Sequence, residues 1–196
     1  MNKKISARTL VSIAVSAAIG FILMLFDFNL PLAPAFVKLD LSDVPALIIT
    51  FSIGPLAGVA TEFLKNLLHL FTTSTVGVGE LSNFILGCLL VIPAGLIYKH
   101  NKTRKTALIA MLTGTLCMAV GGIFTNLFIM FPFYTKVTGI SIETIIGMCQ
   151  KILPFVDNEI KVILLSVTPF NILKGVLISI VTYLLYKRLT PIIKGK

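Results

Sequence analysis

In the stretch TPFNILKG, Asn171 and Lys174 stand three residues apart, so on a helix they share one face. The apolar run that follows reads as a membrane helix, and a lysine at the centre of such a span costs about 2.5–3.5 kcal/mol. Two arrangements offset that cost. In one, Lys174 snorkels, laying its stem in apolar surroundings and its ammonium at the interface. In the other, ammonium and carboxamide face the bundle interior and address the polar acceptor edge of a ligand. Further polar residues fall at a similar depth: Asn126 near the outer end of one helix, and Glu80 with Asn83, again i,i+3, at the outer start of another. Glu80 alone also reads as a helix-start acid favoured by the macrodipole. Phe131, Phe133 and Tyr134 lie at the same level, as interfacial anchors or as a stacking surface for a planar ligand. Each residue has an ordinary explanation; their gathering in one leaflet points to a binding site.

A second polar group lies in TEFLKNLLH, where Glu62, Lys65, Asn66 and His69 share a helix side. Glu62 and Lys65 can pair at i,i+3, giving an internally compensated seam; a proton path is the alternative. Asp27 reads as an interfacial residue. Catalysis is not indicated: the chain has no HExxH, GxSxG or Walker A pattern. Cys88, Cys117 and Cys149 are scattered without metal-site or disulfide spacing. No metal ligand set and no catalytic residue is expected.

These side chains must be positioned by membrane helices. The 196 residues are 56% hydrophobic and only 13% charged, against about 25% charged in soluble domains. The chain reads as one transmembrane domain over residues 1–196, all-α and embedded in a lipid bilayer. The net charge of +9 sets topology and does not mark a nucleic-acid partner. The first apolar stretch continues to Phe26, beyond a signal-peptide core, so it is expected to be a retained helix. Apolar stretches run over 10–28, 44–71, 81–98, 107–131 and 162–186. The second contains Gly54–Pro55, where a helix can end and another begin. Three basic clusters, Lys3/Lys4/Arg8, KHNKTRK at 99–105, and Lys187/Arg188/Lys194/Lys196, contain no acid. Placing all three on the cytoplasmic side requires 44–71 to be two segments. The expectation is six transmembrane helices with both termini cytoplasmic, the second and third short, tilted or partly re-entrant. Residues 132–161 form an outer connection in which Ile142, Ile145, Ile146, Cys149, Ile152 and Leu153 line one helical face, an interfacial helix or a lid. Ala14 and Ala18, i,i+4 on the first helix, suit close packing, within the bundle or against a partner.

The segments FVKLDLSDVPALIITFSIGPLAGVATEFLKNLLH, GVGELSNFILG and TPFNILKG closely resemble the riboflavin-binding substrate-capture subunit of energy-coupling-factor (ECF) vitamin transporters, over nearly the whole chain. That resemblance implies a six-helix subunit of a bacterial plasma membrane that captures riboflavin with high affinity, without an ATPase site or cofactor of its own. It implies a transmembrane scaffold subunit and two cytoplasmic ATPase subunits as partners. The scaffold would meet the Ala14–Ala18 face. Leu39 and Asp40 would close the top of the site, Glu80 and Asn83 would flank it, and Asn126, Asn171 and Lys174 would bond the ring edge. The competing reading is a stand-alone secondary transporter or channel for a small solute, with Glu62–His69 as its polar path.

Overall fold

The computed structural model describes residues 6–29 and 38–195. Lys3, Lys4, Lys196 and most of the proline-rich first connection lie outside the described residues. The described chain is a helical bundle with one two-residue hairpin. Helix α1 spans Ala7–Leu25, and β1 (Phe28–Asn29) pairs antiparallel with β2 (Lys38–Leu39), Phe28 opposite Leu39. Then come α2 (Asp43–Ser52), α3 (Pro55–His69), α4 (Val78–His100) and α5 (Arg104–Thr125). A cap of α6 (Phe131–Thr138), α7 (Ile142–Gln150) and α8 (Glu159–Val162) precedes the last helix, α9 (Thr168–Lys194).

Among the described residues, four helical runs are long and apolar enough to cross a membrane: Ala7–Leu25, Val78–His100, Arg104–Val137 and Glu159–Lys194. This corrects the expectation of six spanning helices. At 1.5 Å per residue, α2 and α3 reach only about 15 and 22 Å, short of the roughly 30 Å hydrocarbon core. The break between them is where the sequence puts it: Gly54 takes φ +142° and Pro55 opens α3. Asp43, at the start of α2, lies beside Lys174; Ser52, at its end, lies 3.0 Å from Thr190. Helix α2 thus fills only one half of the bundle's depth. The other half is taken by the chain from Lys38 to Ser42, which dives inward with Leu39, Asp40 and Ser42 all buried. Wedged against α1, α3, α4 and α9, α2 has every residue buried.

Two helices run further than their apolar stretches suggest. Helix α5 continues through a π-helical turn, Asn126–Met130, into α6, and α8 continues through another, Ile163–Val167, into α9. Each turn sits just before a proline, Pro132 and Pro169, which lacks an N–H and whose ring collides with the carbonyl four residues back. The widened turn absorbs both defects and keeps the rod continuous. Lys174 and Asn171 are therefore near the middle of a 36-residue rod, not near its outer end.

The basic segments share one end. Arg8 donates to the Lys194 carbonyl at 3.3 Å, and Phe51 packs tilted against Tyr98 (4.4 Å) and edge to face with Tyr186 (5.6 Å), just before Lys99 and Lys187. Helix α3 is inverted relative to a soluble amphipathic helix: Glu62 and Lys65 are fully buried, while Leu56, Phe63 and Leu67 face outward. That arrangement is stable only where the surroundings are apolar.

Candidate functional site

At the end opposite the basic segments the bundle opens into a cavity of about 180 Å³, more than tenfold the roughly 10–15 Å³ one water needs. The start of α4 supplies Glu80 and Asn83, the end of α5 and the following turn supply Asn126, and α9 supplies Asn171 and Lys174. Asp27 and Lys38, both partly exposed, lie at the mouth, the buried Asp40 also lines the cavity, and Phe131, Tyr134 and Ile145 come from the cap. Six of the seven residues expected to bind a ligand line this one space. Leu39 does not: β2 turns it inward, where it is buried and absent from the wall. Phe133 turns outward, away from its neighbours Phe131 and Tyr134.

The cap is a small core of its own. Ile145 and Cys149 of α7 are buried with Phe131, Val156, Val162 and Ile163, and Ile146 and Leu153 pack against them. The apolar face read from ISIETIIGMCQKIL thus folds over the cavity, with Ile145 reaching it.

The polar wall divides into groups that are already satisfied and groups that are not. Glu80 is satisfied: Thr73 and Thr75 hydroxyls donate to Oε2 at 2.9 and 3.2 Å, and His69 Nδ1 lies 2.8 Å from Oε1. Both its oxygens are thereby held in the wall. Asn126 donates Nδ2 to the Gly122 carbonyl at 2.7 Å, which leaves its Oδ1 as the available acceptor. Asn171 Nδ2 and Asn83 Oδ1 are buried without a partner. Gly122 makes room for the first, since a Cβ there would sit 2.8 Å from Asn171 Nδ2. Buried polar atoms are nearly always bonded; these two belong to side chains that line the cavity, while further partnerless atoms, Thr115 Oγ1 and Thr182 Oγ1 among them, lie away from it.

Lys174 does not snorkel. Its side chain is 10% exposed, and its ammonium donates to Asp40 Oδ2 at 3.0 Å and lies 3.3 Å from Asp43 Oδ2. Asp40 uses its other oxygen to accept from the Ser42 amide at 2.8 Å. Sequence reasoning missed Asp43 because an acid opening an apolar run reads as an ordinary helix start. Lys65 pairs with Glu62 at 2.7 Å, as its spacing predicts, and also with Asp43. His69 leaves that seam for Glu80. Asp27, read as merely interfacial, pairs with Lys38 at 2.9 Å in the cavity mouth. Ala14 and Ala18 are exposed on α1, whereas Ala17, Gly20 and Met24 make its inward face; packing within the bundle is not the use of the Ala14–Ala18 stripe.

Comparison with known proteins fits this architecture. The profile of the family described as "ECF transporter, substrate-specific component" matches residues 8–186. Riboflavin transporter RibU of Staphylococcus aureus is 34% identical over 188 residues, 95% of this chain and 93% of that protein. Riboflavin transporter FmnP of Bacillus subtilis is 31% identical, covering 94% and 93%. A solved S component of a bacterial ECF transporter superposes with TM-score 0.74 at 33% identity, covering 95% of this chain and 97% of that one.

Proposed function

This chain belongs to the family of ECF transporter substrate-specific components, and we propose that it captures riboflavin with high affinity for uptake. The observation that carries this reading is the convergence of Asn83, Asn126, Asn171 and Lys174 with the rings of Phe131, Tyr134 and Phe170 on one cavity wall. An isoalloxazine offers the complement: a flat apolar body with carbonyl acceptors and an imide donor along one edge. Asn171 and Lys174 donate to that edge, and Asn126 Oδ1 accepts from its imide N–H, with Asn83 beside it. Tyr134 and Phe131 cover the ring. Glu80 and Asp40 close the sides, and Leu39 supports the hairpin above. Relatives named as riboflavin transporters favour this ligand over other planar ones.

Both termini and the 99–105 segment are cytoplasmic in this reading, because the basic residues share one end, and the cavity faces outward. Four helical runs cross the bilayer, and α2, α3 and the buried Lys38–Ser42 segment pack among them. Energy comes from outside the chain: a transmembrane scaffold docks on the exposed Ala14–Ala18 stripe, where small side chains allow close helix approach, and two cytoplasmic ATPases drive it. The subunit itself is not an enzyme and needs no cofactor. The test is calorimetry of purified protein with riboflavin and no nucleotide. Saturable one-to-one binding is expected; absence of binding by folded protein refutes the assignment.

A further inference from the structure

Behind the cavity wall lies a cluster of charges that ligand contact alone does not explain. Asp40, Asp43, Glu62, Lys65 and Lys174 come from four elements and are buried together. Asp43 is the hub. Its Oδ1 takes Lys65 of α3 and its Oδ2 faces Lys174 of α9. Asp43 does not itself line the cavity, whereas Lys174 does. A carboxylate held on both oxygens by ammoniums from two different helices cannot turn, so the end that faces Lys174 is fixed.

The anchor beneath it is equally confined. Lys65 is held by Glu62 one turn earlier. The Lys65 stem passes Gly20 of α1, where a Cβ would come within 3.2 Å of Lys65 Cδ and 3.0 Å of the Ser42 carbonyl. Helix α4 approaches Glu62 through Gly87, where any Cβ would overlap the Glu62 carboxylate. Three helices thus pin Lys65, which pins Asp43.

We propose that Asp43 is a positioning residue for the ligand: it sets the place of the Lys174 ammonium in the cavity wall, and Lys65 with Glu62 holds Asp43 for that task. The proposal rests on the riboflavin reading above. Without Asp43, Lys174 retains only Asp40, on the segment that follows β2, and its ammonium is held from one side alone.

Charge counting selects the variant. Asp43→Asn leaves Asp40 beside Lys174 and Glu62 beside Lys65, so each buried lysine keeps a carboxyl partner. Lys65→Met would leave three carboxylates and one ammonium, and is avoided. Riboflavin affinity should fall about tenfold in Asp43→Asn, the scale of one hydrogen bond to a charged group, with the thermal midpoint of the ligand-free protein measured in parallel. The decisive readout is the same substitution in an Asp40→Asn/Lys174→Met background, which removes one charge of each sign. There Asp43→Asn should have no further effect on affinity, because the group it acts through is gone. A tenfold loss in that background too would assign Asp43 a general structural role and overturn the proposal, as would unchanged affinity in Asp43→Asn alone. Folded wild-type protein that binds no riboflavin would refute the functional reading itself, and the positioning role with it.

Discussion

Asn171 and Lys174 are neighbours on one helix face, yet the structure separates what they do for the fold. Asn171→Leu removes an Nδ2 that has no partner in the ligand-free protein. A buried donor left unbonded costs about 1–3 kcal/mol, and leucine fills similar space against Gly122 without that cost. The ligand-free protein should therefore gain about 1 kcal/mol or more, read as a thermal midpoint raised by a few degrees. Riboflavin loses a donor and keeps an unsatisfied acceptor, so affinity should fall roughly tenfold. Lys174→Met should behave oppositely toward the fold, because it strips Asp40 and Asp43 of their shared cation. Breaking a buried pair by removing one partner costs about 3–5 kcal/mol, so the ligand-free midpoint should drop sharply. The assay is thermal unfolding of both variants in detergent, with and without riboflavin, beside calorimetric affinities. A ligand-free Asn171→Leu protein that melts well below wild type while binding riboflavin normally would refute the argument: Asn171 would then be a structural residue and the partnerless amide no sign of a ligand.

Two further outcomes are expected. Gly87→Ala should destabilise the protein by about 1–3 kcal/mol, since its Cβ overlaps the Glu62 carboxylate, and Glu62→Ala in the same chain should relieve that part of the loss; the thermal midpoints of the single and double variants check it. Ala14→Leu/Ala18→Leu, on the exposed face of α1, should leave riboflavin affinity unchanged and abolish uptake in cells that carry the energising subunits; full uptake would remove the docking role from that stripe.

Local chemistry made some of the architecture legible. Gly54–Pro55 announced the break between α2 and α3, because only glycine takes φ +142° without strain and proline suits a first helical turn. Glu62–Lys65 announced its own pair by i,i+3 spacing. The cavity wall was legible because polar groups at one depth of a membrane protein need a common reason. The ends of α5 and α9 were not legible, since Pro132 read as a boundary and the last apolar stretch stopped at 186, and only tertiary packing of the cap makes a π-helical turn the cheaper solution. The inward turn of Leu39 was not legible for a related reason: in a two-residue strand, the side facing the cavity depends on how the hairpin sits, which composition does not encode.

The partners of Lys174 were hidden at a deeper level. Asp40 and Asp43 lie far from it in sequence, in a segment whose alternating acids resemble an exposed loop before a helix. They are buried because α2 is too short to cross, so the chain before it must occupy half the depth of the bundle as non-helical backbone. Such backbone is tolerated at membrane depth only where protein surrounds it or a cavity borders it, and here both hold: Asp40 borders the cavity while Leu39 and Ser42 are enclosed. The short helix, the inward-diving segment and the buried lysine are therefore one arrangement. Lengthening α2 to a full span would push Asp40 and Asp43 out of reach of α9, and Lys174 would lose both the charges that keep it in the bundle and the position from which it meets a ligand.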